Sequence, residues 1–311
     1  MKPTTYILGA LLIAGALVSG ASAYTAKSTM RYSLEPYAFT DSQATRTFTS
    51  ADNVAISFQS ALPENTKVYF TSGIHLEVTE RAEVTAPSVE VSESWIPLLD
   101  LRETKRSGES TLDIIIDASG LADYYGQPAS GKKMEIHLDA PKIKLVMPAG
   151  MLKAISADEN CRVELHDMAL SHLRAAFNNR MCIDNCKIDT FALKISGLNE
   201  YSSSHHESAD DMLNRRLVSV REYEYSYLKL TDTHIGTAFI SAVAPALTVT
   251  GPCYIDRLNI DARSVNRDNQ FITLTNKVGF NELDWTPDNM DRVNLSINGL
   301  AAGRIVTGRA D

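Results

Sequence analysis

The sequence predicts an all-β protein: a right-handed parallel β-helix, or β-solenoid, with short strands and Asp, Asn or Gly corners, preceded by a strand-rich N-terminal segment. Stretches such as NVAISF and IHLEVTE alternate apolar and polar residues, the period-2 pattern of half-buried strands. Helical periodicity is nearly absent, with one short candidate at residues 210–218. A set of apolar anchors also recurs along the second half of the chain, and the right hand is the usual one for parallel coils.

The repeat is clearest between CRVELHDMALSHLRAAF, residues 161–177, and MCIDNCKIDTFAL, which begins at Met181. Their apolar anchors align at identical spacing: Leu165, Leu170 and Leu173 in the first copy, and Ile183, Ile188 and Phe191 in the second. Later first anchors are Leu230, Val249, Leu274 and Leu295, so the five steps are 18, 47, 19, 25 and 21 residues. The step of 47 residues corresponds to two coils, or to one coil interrupted by a polar insert.

A corner column lies two residues after each first anchor. It contains Asp167, Asn185, Asp232, Gly251 and Asn276, and only Ile297 interrupts it. These residue types tolerate left-handed backbone and stabilise their own turns, so the column predicts a corner between two short strands. Coils that stack about 4.8 Å apart pair their backbones and bury the anchors, which a single coil is too small to do.

The N-terminus predicts export. Lys2 precedes an apolar run of 18 residues, from Tyr6 to the Ala21-Ser22-Ala23 pattern of a signal-peptidase site. We therefore divide the chain into a signal peptide at 1–23, a strand-rich segment at 24–95, and a β-solenoid at 96–311 with a polar insert near 197–212. The alternative is that residues 6–23 remain as a membrane anchor. Both alternatives place the rest of the protein in the periplasm or at the cell surface.

The composition and net charge exclude some classes of binding partner. The 311-residue chain has a net charge of −8 without a basic block, which disfavours nucleic acid and leaves membrane contact to an uncleaved N-terminal segment. Cys182 and Cys186 form neither a CxxC redox motif nor a zinc pattern, and we expect all four cysteines to be buried. Only the pair of Cys161 and Cys182 falls close enough, on adjacent coils, to leave a disulfide open. No cofactor or metal is predicted.

Two polar stretches carry candidate ligand contacts. Tyr223, Tyr225 and Tyr227 alternate on one strand, where their rings have the geometry to stack on sugars or to pack on a neighbouring layer. His205 and His206 lie beside acidic residues, types that bind metal or transfer protons, although an exposed polar insert explains them equally.

An enzyme on the same scaffold is the alternative. Polysaccharide lyases and hydrolases need carboxylates grouped with a base or calcium in one groove. The acids and bases available for such a site are Asp167, Asp184, Asp189, Asp232 and Asp256 with Arg174, Arg180 and Arg257. Corner positions and a solvated face account for the same residues, so no catalytic residue is assigned.

Residues 60–305 resemble the auto-transporter adhesin head-domain family of exported Gram-negative envelope proteins. The resemblance rests on the segment from TLDIIIDASG through MEIHLDAPKIKLVMPAGMLKAISADENCRVELHDMALSHLRAAF, with matching units at residues 112–116, 143–148 and 152–155. It implies a β-solenoid and carries over no catalytic residue. We therefore expect a non-catalytic envelope or surface protein that binds glycans or surface proteins through the solenoid wall. A carbohydrate-active enzyme and a structural periplasmic protein are the alternatives.

Overall fold

The computed structural model describes the chain from residue 30 to residue 307, with gaps. The described residues are 30–32, 42–59, 62, 66–70, 73–106, 108–121, 133–158, 161–177, 180–196, 226–243, 246–263, 270–275, 277–288, 291–298 and 304–307. The predicted leader at 1–23, the helix candidate at 210–218 and the insert at 197–212 lie outside them. Within the described residues, no helix is long and apolar enough to cross a membrane.

The described chain is all-β, as predicted, with strands in three sheets. Sheet A is parallel and has the order β1 (Met30–Tyr32), β9 (Lys133–Leu138), β4 (Thr66–Phe70). Sheet B has the order β2 (Gln43–Thr47), β6 (Ser88–Ser92), β10 (Lys142–Pro148), β5 (Ile74–Arg81), β12 (Cys161–His166), β14 (Arg180–Asp184), β16 (Ser226–Thr231), β18 (Ala246–Thr250), β20 (Gln270–Leu274), β22 (Val293–Ile297).

Sheet C has the order β7 (Leu99–Arg106), β8 (Glu109–Asp117), β3 (Asn53–Gln59), β11 (Ala154–Ala157), β13 (Ala169–Ala176), β15 (Lys187–Ser196), β17 (Thr233–Val243), β19 (Cys253–Ala262), β21 (Val278–Pro287), β23 (Arg304–Thr307). Two short 3₁₀ helices, η1 (Glu93–Leu98) and η2 (Ala118–Gly120), flank β7 and β8.

From residue 161 onward, successive strands alternate between sheets B and C. From β13 to β21, each strand pairs in parallel with the strand two elements before it and the strand two elements after it, as β15 does with β13 and β17. The antiparallel pairs, β2 with β6, β6 with β10 and β7 with β8, gather at one end of each sheet. Two strands from the N-terminal segment lie within the ladders, because β5 pairs with β10 and β12, and β3 pairs with β8 and β11.

The pairing register places apolar side chains of neighbouring strands directly opposite one another, in buried columns. The second anchors pair across sheet C as Leu170, Ile188, Ile235, Ile255 and Phe280, and all are buried. The third column is Leu173, Phe191, Ala238, Leu258 and Leu283. Because the inward positions of these columns meet apolar residues in the neighbouring strands, apolar area is removed from water continuously across the sheet.

The first anchors depart from the sequence alignment at two places. Leu165, Ile183 and Leu230 are paired as expected, but Val249 lies opposite Leu228, two residues out of step. Ile297 pairs with Leu274. The alignment on Leu295 is therefore wrong by two residues, which explains why Ile297 falls at the corner position in that alignment.

The corner column has left-handed backbone in the described residues. The φ angles are 57° at Asp167, 50° at Asn185, 46° at Asp232 and 109° at Gly251, and Asn276 lies outside the described residues. The N–H groups of Asp167, Asn185 and Asp232 each donate to a carbonyl in or just after the neighbouring strand of sheet B, at 3.1, 2.9 and 2.7 Å. The Asn185 side-chain amide also donates to the Asp167 carboxylate at 2.6 Å, which links adjacent corners.

A second polar column was missed from the sequence. It lies immediately after the second anchors, between paired residues of sheet C: Ser171, Asp189, Gly236, Asp256 and Asn281. In β13 both Ser171 and His172 point outward, so the strand bends there, and a Cβ on Gly236 would come within 2.6 Å of the Asp189 carbonyl oxygen. The sequence signal was available, because a small or polar residue follows every second anchor.

All four cysteines are buried, as predicted, and carry free thiols. Cys182 lies opposite Glu164 on the outward side of β14, whereas Cys161 lies opposite Ile74 and points inward, so no disulfide joins Cys161 to Cys182. Burial raises the pKa of Cys186 to about 11 and of Cys253 to about 12, and it raises the pKa of Cys161 further. These thiols are therefore poor nucleophiles at neutral pH.

Gly251 provides a test of corner geometry. In Gly251→Ala the new Cβ would lie 1.8 Å from the Leu230 carbonyl oxygen, in addition to the strain of φ 109°. We expect a loss of more than about 3 kcal/mol in the free energy of unfolding, measured by urea denaturation. The matched control is Gly150→Ala, where φ is 69° but no atom lies within 4 Å, and about 1 kcal/mol is expected. Equal losses in the two variants would contradict the predicted collision.

Candidate ligand-binding site

The outer face of sheet C carries two rows of side chains that run across the strands. In the first row, Asn53, Ala154, Arg174, Ala192, Phe239 and Asn259 lie opposite one another in successive strands. In the second row, two residues further along each strand, lie Ala55, Ser156, Ala176, Lys194, Ser241 and Asp261. The in-register stacking of the strands thus brings residues from six distant parts of the chain together.

A groove of about 630 Å³ follows these rows, within the range of small-ligand sites. Its floor is lined by four small side chains, those of Ala55, Ala154, Ala176 and Ala192. Longer side chains beside them, including Arg174, Lys194 and Phe239, form its walls. The depression exists because alanine occupies outward positions where long polar residues are usual.

Phe239 is the aromatic group of the groove. Its side chain is 48% exposed, although it lies in β17 between Ala192 and Asn259. The Asn259 amide beside it donates to the Ala238 carbonyl oxygen at 3.2 Å, which fixes that polar neighbour. An exposed ring fixed on a rigid strand offers a flat apolar face to a ligand.

The rim of the groove is polar and of mixed charge. Arg174 contacts the Glu109 carboxylate at 3.2 Å, and the Asn53 amide donates to the same carboxylate at 3.2 Å. The Asn53 hydrogen bond and the nearby Arg174 lower the pKa of Glu109. Lys194 has no ion pair among the described residues. The rim therefore presents a paired charge, a free cation and several hydrogen-bonding groups around an apolar floor.

Asp52 fixes the strands at one end of the groove. Its carboxylate accepts the Ser110 N–H at 3.0 Å and hydroxyl at 2.9 Å, and it contacts the Lys153 ammonium at 2.9 Å. The Ser110 N–H, with Lys153, lowers the pKa of Asp52 to about 2. Since β3, β8 and β11 begin beside these three residues, this network holds together the strands that carry Asn53, Thr111 and Ala154.

Of the aromatic and histidine candidates from the sequence, only Tyr227 lies in the described residues. It is half-buried on the outward side of β16 in sheet B, and its ring centroid lies 5.1 Å from the Arg180 guanidinium carbon. Tyr223, Tyr225, His205 and His206 lie outside the described residues. Tyr227 is therefore on a different sheet from the groove.

The groove itself was missed in the sequence. Its signal was apolar residues at outward strand positions, in AISA, RAAF, FALK and TAFI. The pattern within one strand does not show that these residues form a continuous row, because the row depends on pairing between strands.

The candidate acids and bases are distributed over several places. Asp167 and Asp232 are at corners and Asp189 and Asp256 at the second bend, while Asp184 lies on sheet B with an oxygen 3.5 Å from His166 Nδ1. Arg174 and Arg257 pair with Glu109 and Glu282 on sheet C, and Arg180 stacks on Tyr227. Across the described ranges, no group of three or more His, Cys, Asp or Glu side chains is placed to hold a metal ion.

Sheet B carries a separate charged cluster around Glu164. One Glu164 oxygen lies 3.0 Å from His75 Nε2 and 3.5 Å from His166 Nε2, and the other contacts Arg162. Burial alone would raise the pKa of Glu164, but His75 and Arg162 outweigh it and the net shift is downward. Glu164 is therefore an ionised group that holds its basic neighbours in place.

Comparison with known proteins finds no matching family model and no matching curated protein. Among solved structures, the chain is similar to a "putative adhesin" from Bacteroides fragilis, with a TM-score of 0.44 and 10% identity over 86% of this chain and 98% of that one. It is also similar to a "putative adhesin" from Parabacteroides distasonis, with a TM-score of 0.36 and 13% identity over 85% and 96% of the two chains.

A third similar structure is a "putative lipid binding protein" from Parabacteroides distasonis, with a TM-score of 0.36 and 10% identity over 89% of this chain and 99% of that one.

Removing the Asp52 carboxylate should lower the free energy of unfolding at neutral pH. It should also reduce how far that free energy falls when the pH is lowered. Because the folded pKa of about 2 lies below the ordinary value of 3.8, ionised Asp52 stabilises the fold above about pH 4 and loses that effect as pH falls toward 2. Asp52→Asn should cost about 1 kcal/mol at pH 7, since solvent screens a partly exposed pair. At pH 2 the difference from wild type should be near zero.

Urea denaturation at both pH values measures this difference. Asp284→Asn is the control, since Asp284 faces outward on β21 and has no ion pair among the described residues. A penalty for Asp52→Asn that stays constant from pH 7 to pH 2 would refute the electrostatic account.

Proposed function

We propose that the protein is an exported, non-catalytic envelope or surface protein that binds an extended glycan chain in the groove on sheet C, in adhesion or glycan capture. The observation that carries this proposal is the groove of about 630 Å³ with its alanine floor and exposed Phe239. The apolar floor and the ring match the CH faces of sugar rings, and the polar rim matches their hydroxyl groups.

The architecture supports an extended ligand. In this proposal sheets B and C are two faces of a right-handed β-solenoid, so every coil adds one residue to each outward row. The alternation of strands between the two sheets from residue 161 onward supports it. A wall that repeats about every 4.8 Å suits a ligand that is itself a repeating chain.

The distribution of acids and bases supports binding rather than catalysis. Hydrolysis or elimination at a glycosidic bond needs two groups on either side of one bond. The five candidate aspartates lie at corners, at the second bend and on sheet B. Among the residues that line the groove, Asp261 alone has a carboxylate, and it pairs with Arg263 at 3.2 Å. The Glu109 carboxylate at the rim pairs with Arg174.

Groove filling tests the binding site. The purified protein is applied to an array of neutral and charged glycans, and the affinity for the strongest glycan is measured by calorimetry. Ala192→Trp should abolish binding, because the indole fills the floor, and Phe239→Ala should weaken it about tenfold.

The matched control is Asn294→Trp, an indole added at an exposed position of β22 in sheet B. The control should bind like wild type. Equal affinities of Ala192→Trp and Asn294→Trp for that glycan would show that the groove is not its site.

Export is supported by the apolar N-terminal run and its Ala21-Ser22-Ala23 pattern. Protease treatment of intact cells should degrade the protein while a periplasmic marker survives. Protection of both proteins would place this chain in the periplasm and remove adhesion from its roles in those cells.

A further inference from the structure

A basic row crosses the outer face of sheet B. Lys142, His75, Arg162, Arg180 and Tyr227 lie opposite one another in β10, β5, β12, β14 and β16. We call these five residues the basic row. It is on a different sheet from the groove, and its residues come from segments up to 152 positions apart in the sequence, as 227 minus 75 shows.

The row places like charges next to each other. Arg162 and Arg180 are directly opposite in parallel strands, about 4.8 Å apart. Like charges in opposing positions destabilise a sheet. A cation in such a position that lacks a carboxylate partner is a candidate site for an anion.

Within the described residues, one of these arginines is paired with a carboxylate and the other is not. Arg162 contacts Glu164, which lies two residues later in the same strand. The position opposite Glu164 in β14 is Cys182, which carries no charge, so Arg180 lacks the corresponding carboxylate. Among the described residues Arg180 has no ion pair, and its ring partner is Tyr227 at 5.1 Å.

Unsatisfied polar atoms mark the same place. The Nε atoms of Arg162 and Arg180 are both buried without a hydrogen-bond partner in the described part of the chain. A buried guanidinium N–H without an acceptor is costly, and an anionic oxygen is its strongest acceptor. The Arg180 guanidinium carbon lies over the Tyr227 ring, and an arginine fork with an aromatic neighbour suits a bidentate acceptor.

We propose that the basic row binds the acidic groups of a polysaccharide, carboxylate or sulfate, with the fork of Arg180 as its main contact. The strand spacing of about 4.8 Å is close to the length of one pyranose unit, so successive sugars meet successive coils. Tyr227 ends the row with a ring that stacks on the neighbouring sugar. The proposal is independent of the groove on sheet C.

The basic row is a local cationic site on a protein whose net charge is negative. At −8 the protein as a whole repels polyanions. Binding of an acidic polymer therefore requires a defined cationic site, and it should weaken with added salt as each ion contact is screened.

Three probes test the proposal: polygalacturonate for carboxylate, dextran sulfate for sulfate ester, and uncharged dextran. We expect one or both acidic polymers to bind the purified protein in calorimetry at low ionic strength, and dextran not to bind. Arg180→Gln should weaken that binding at least tenfold. Arg180→Lys, which keeps the charge but loses the fork, should give an intermediate loss.

Two further variants complete the design. Cys182→Glu should reproduce the loss, because it places beside Arg180 the carboxylate that Glu164 supplies to Arg162; this second position keeps the test valid if Arg180→Gln fails to fold. Arg257→Gln is the charge-matched control, since it removes one exposed cation from β19 in sheet C and should change affinity less than twofold.

The binding measurements on these variants distinguish a site at the basic row from nonspecific attraction to cations. A selective loss in Arg180→Gln and Cys182→Glu, with Arg257→Gln unchanged, supports the site, and the polymer that binds identifies the acidic group. Equal losses in Arg180→Gln and Arg257→Gln, or no binding of either acidic polymer, would overturn it. Ala192→Trp, which fills the groove on sheet C, should leave the acidic binding intact, so failure of one proposal is distinguishable from failure of the other.

Discussion

The whole structure depends on parallel, in-register backbone pairing between one segment of the chain and the next. In sheets B and C each inner strand has its N–H and C=O groups paired on both sides, so any segment that joins the stack must have the right length and the right corners. The apolar columns follow from this constraint. Leu170, Ile188 and Ile235 are buried against one another because the pairing places them at equal heights in successive strands.

The corners satisfy the pairing at a local cost. Asp167, Asn185 and Asp232 adopt positive φ, which is unfavourable for residues with a Cβ, and short polar side chains reduce that cost by hydrogen bonding locally. At Gly251 a short polar side chain would not fit the corner. The register has shifted by two residues between Leu228 and Val249, the corner approaches the Leu230 carbonyl oxygen, and only a residue without a Cβ fits.

The sequence predicts the features that lie within a single strand. It does not predict the features that depend on which distant strands pair with each other. Strand periodicity, the buried second and third anchors and the all-β class can be read locally, because a two-residue period and a recurring apolar residue need no knowledge of neighbours. The position of β5 between β10 and β12 is a choice of partner among distant segments, and nothing within IHLEVTE specifies it. The same holds for the groove and the basic row. Ala192 meets Phe239, and Arg162 meets Arg180, only through the register of the sheets.

Outward positions are where this architecture is free to vary, since stacking constrains the backbone and the inward side chains but not the outer faces. Two outer surfaces therefore differ from an ordinary polar, solvated strand face in a way that stacking does not explain. On sheet C, alanines and an exposed phenylalanine replace long polar residues, which exposes apolar area to water. On sheet B, Arg162 contacts Glu164, whereas the adjacent Arg180 has no ion pair among the described residues, because Cys182 occupies the position opposite Glu164. Both arrangements cost stability in the free protein. The ligands proposed for the groove and for the basic row would remove these costs by covering Phe239 and by pairing with Arg180.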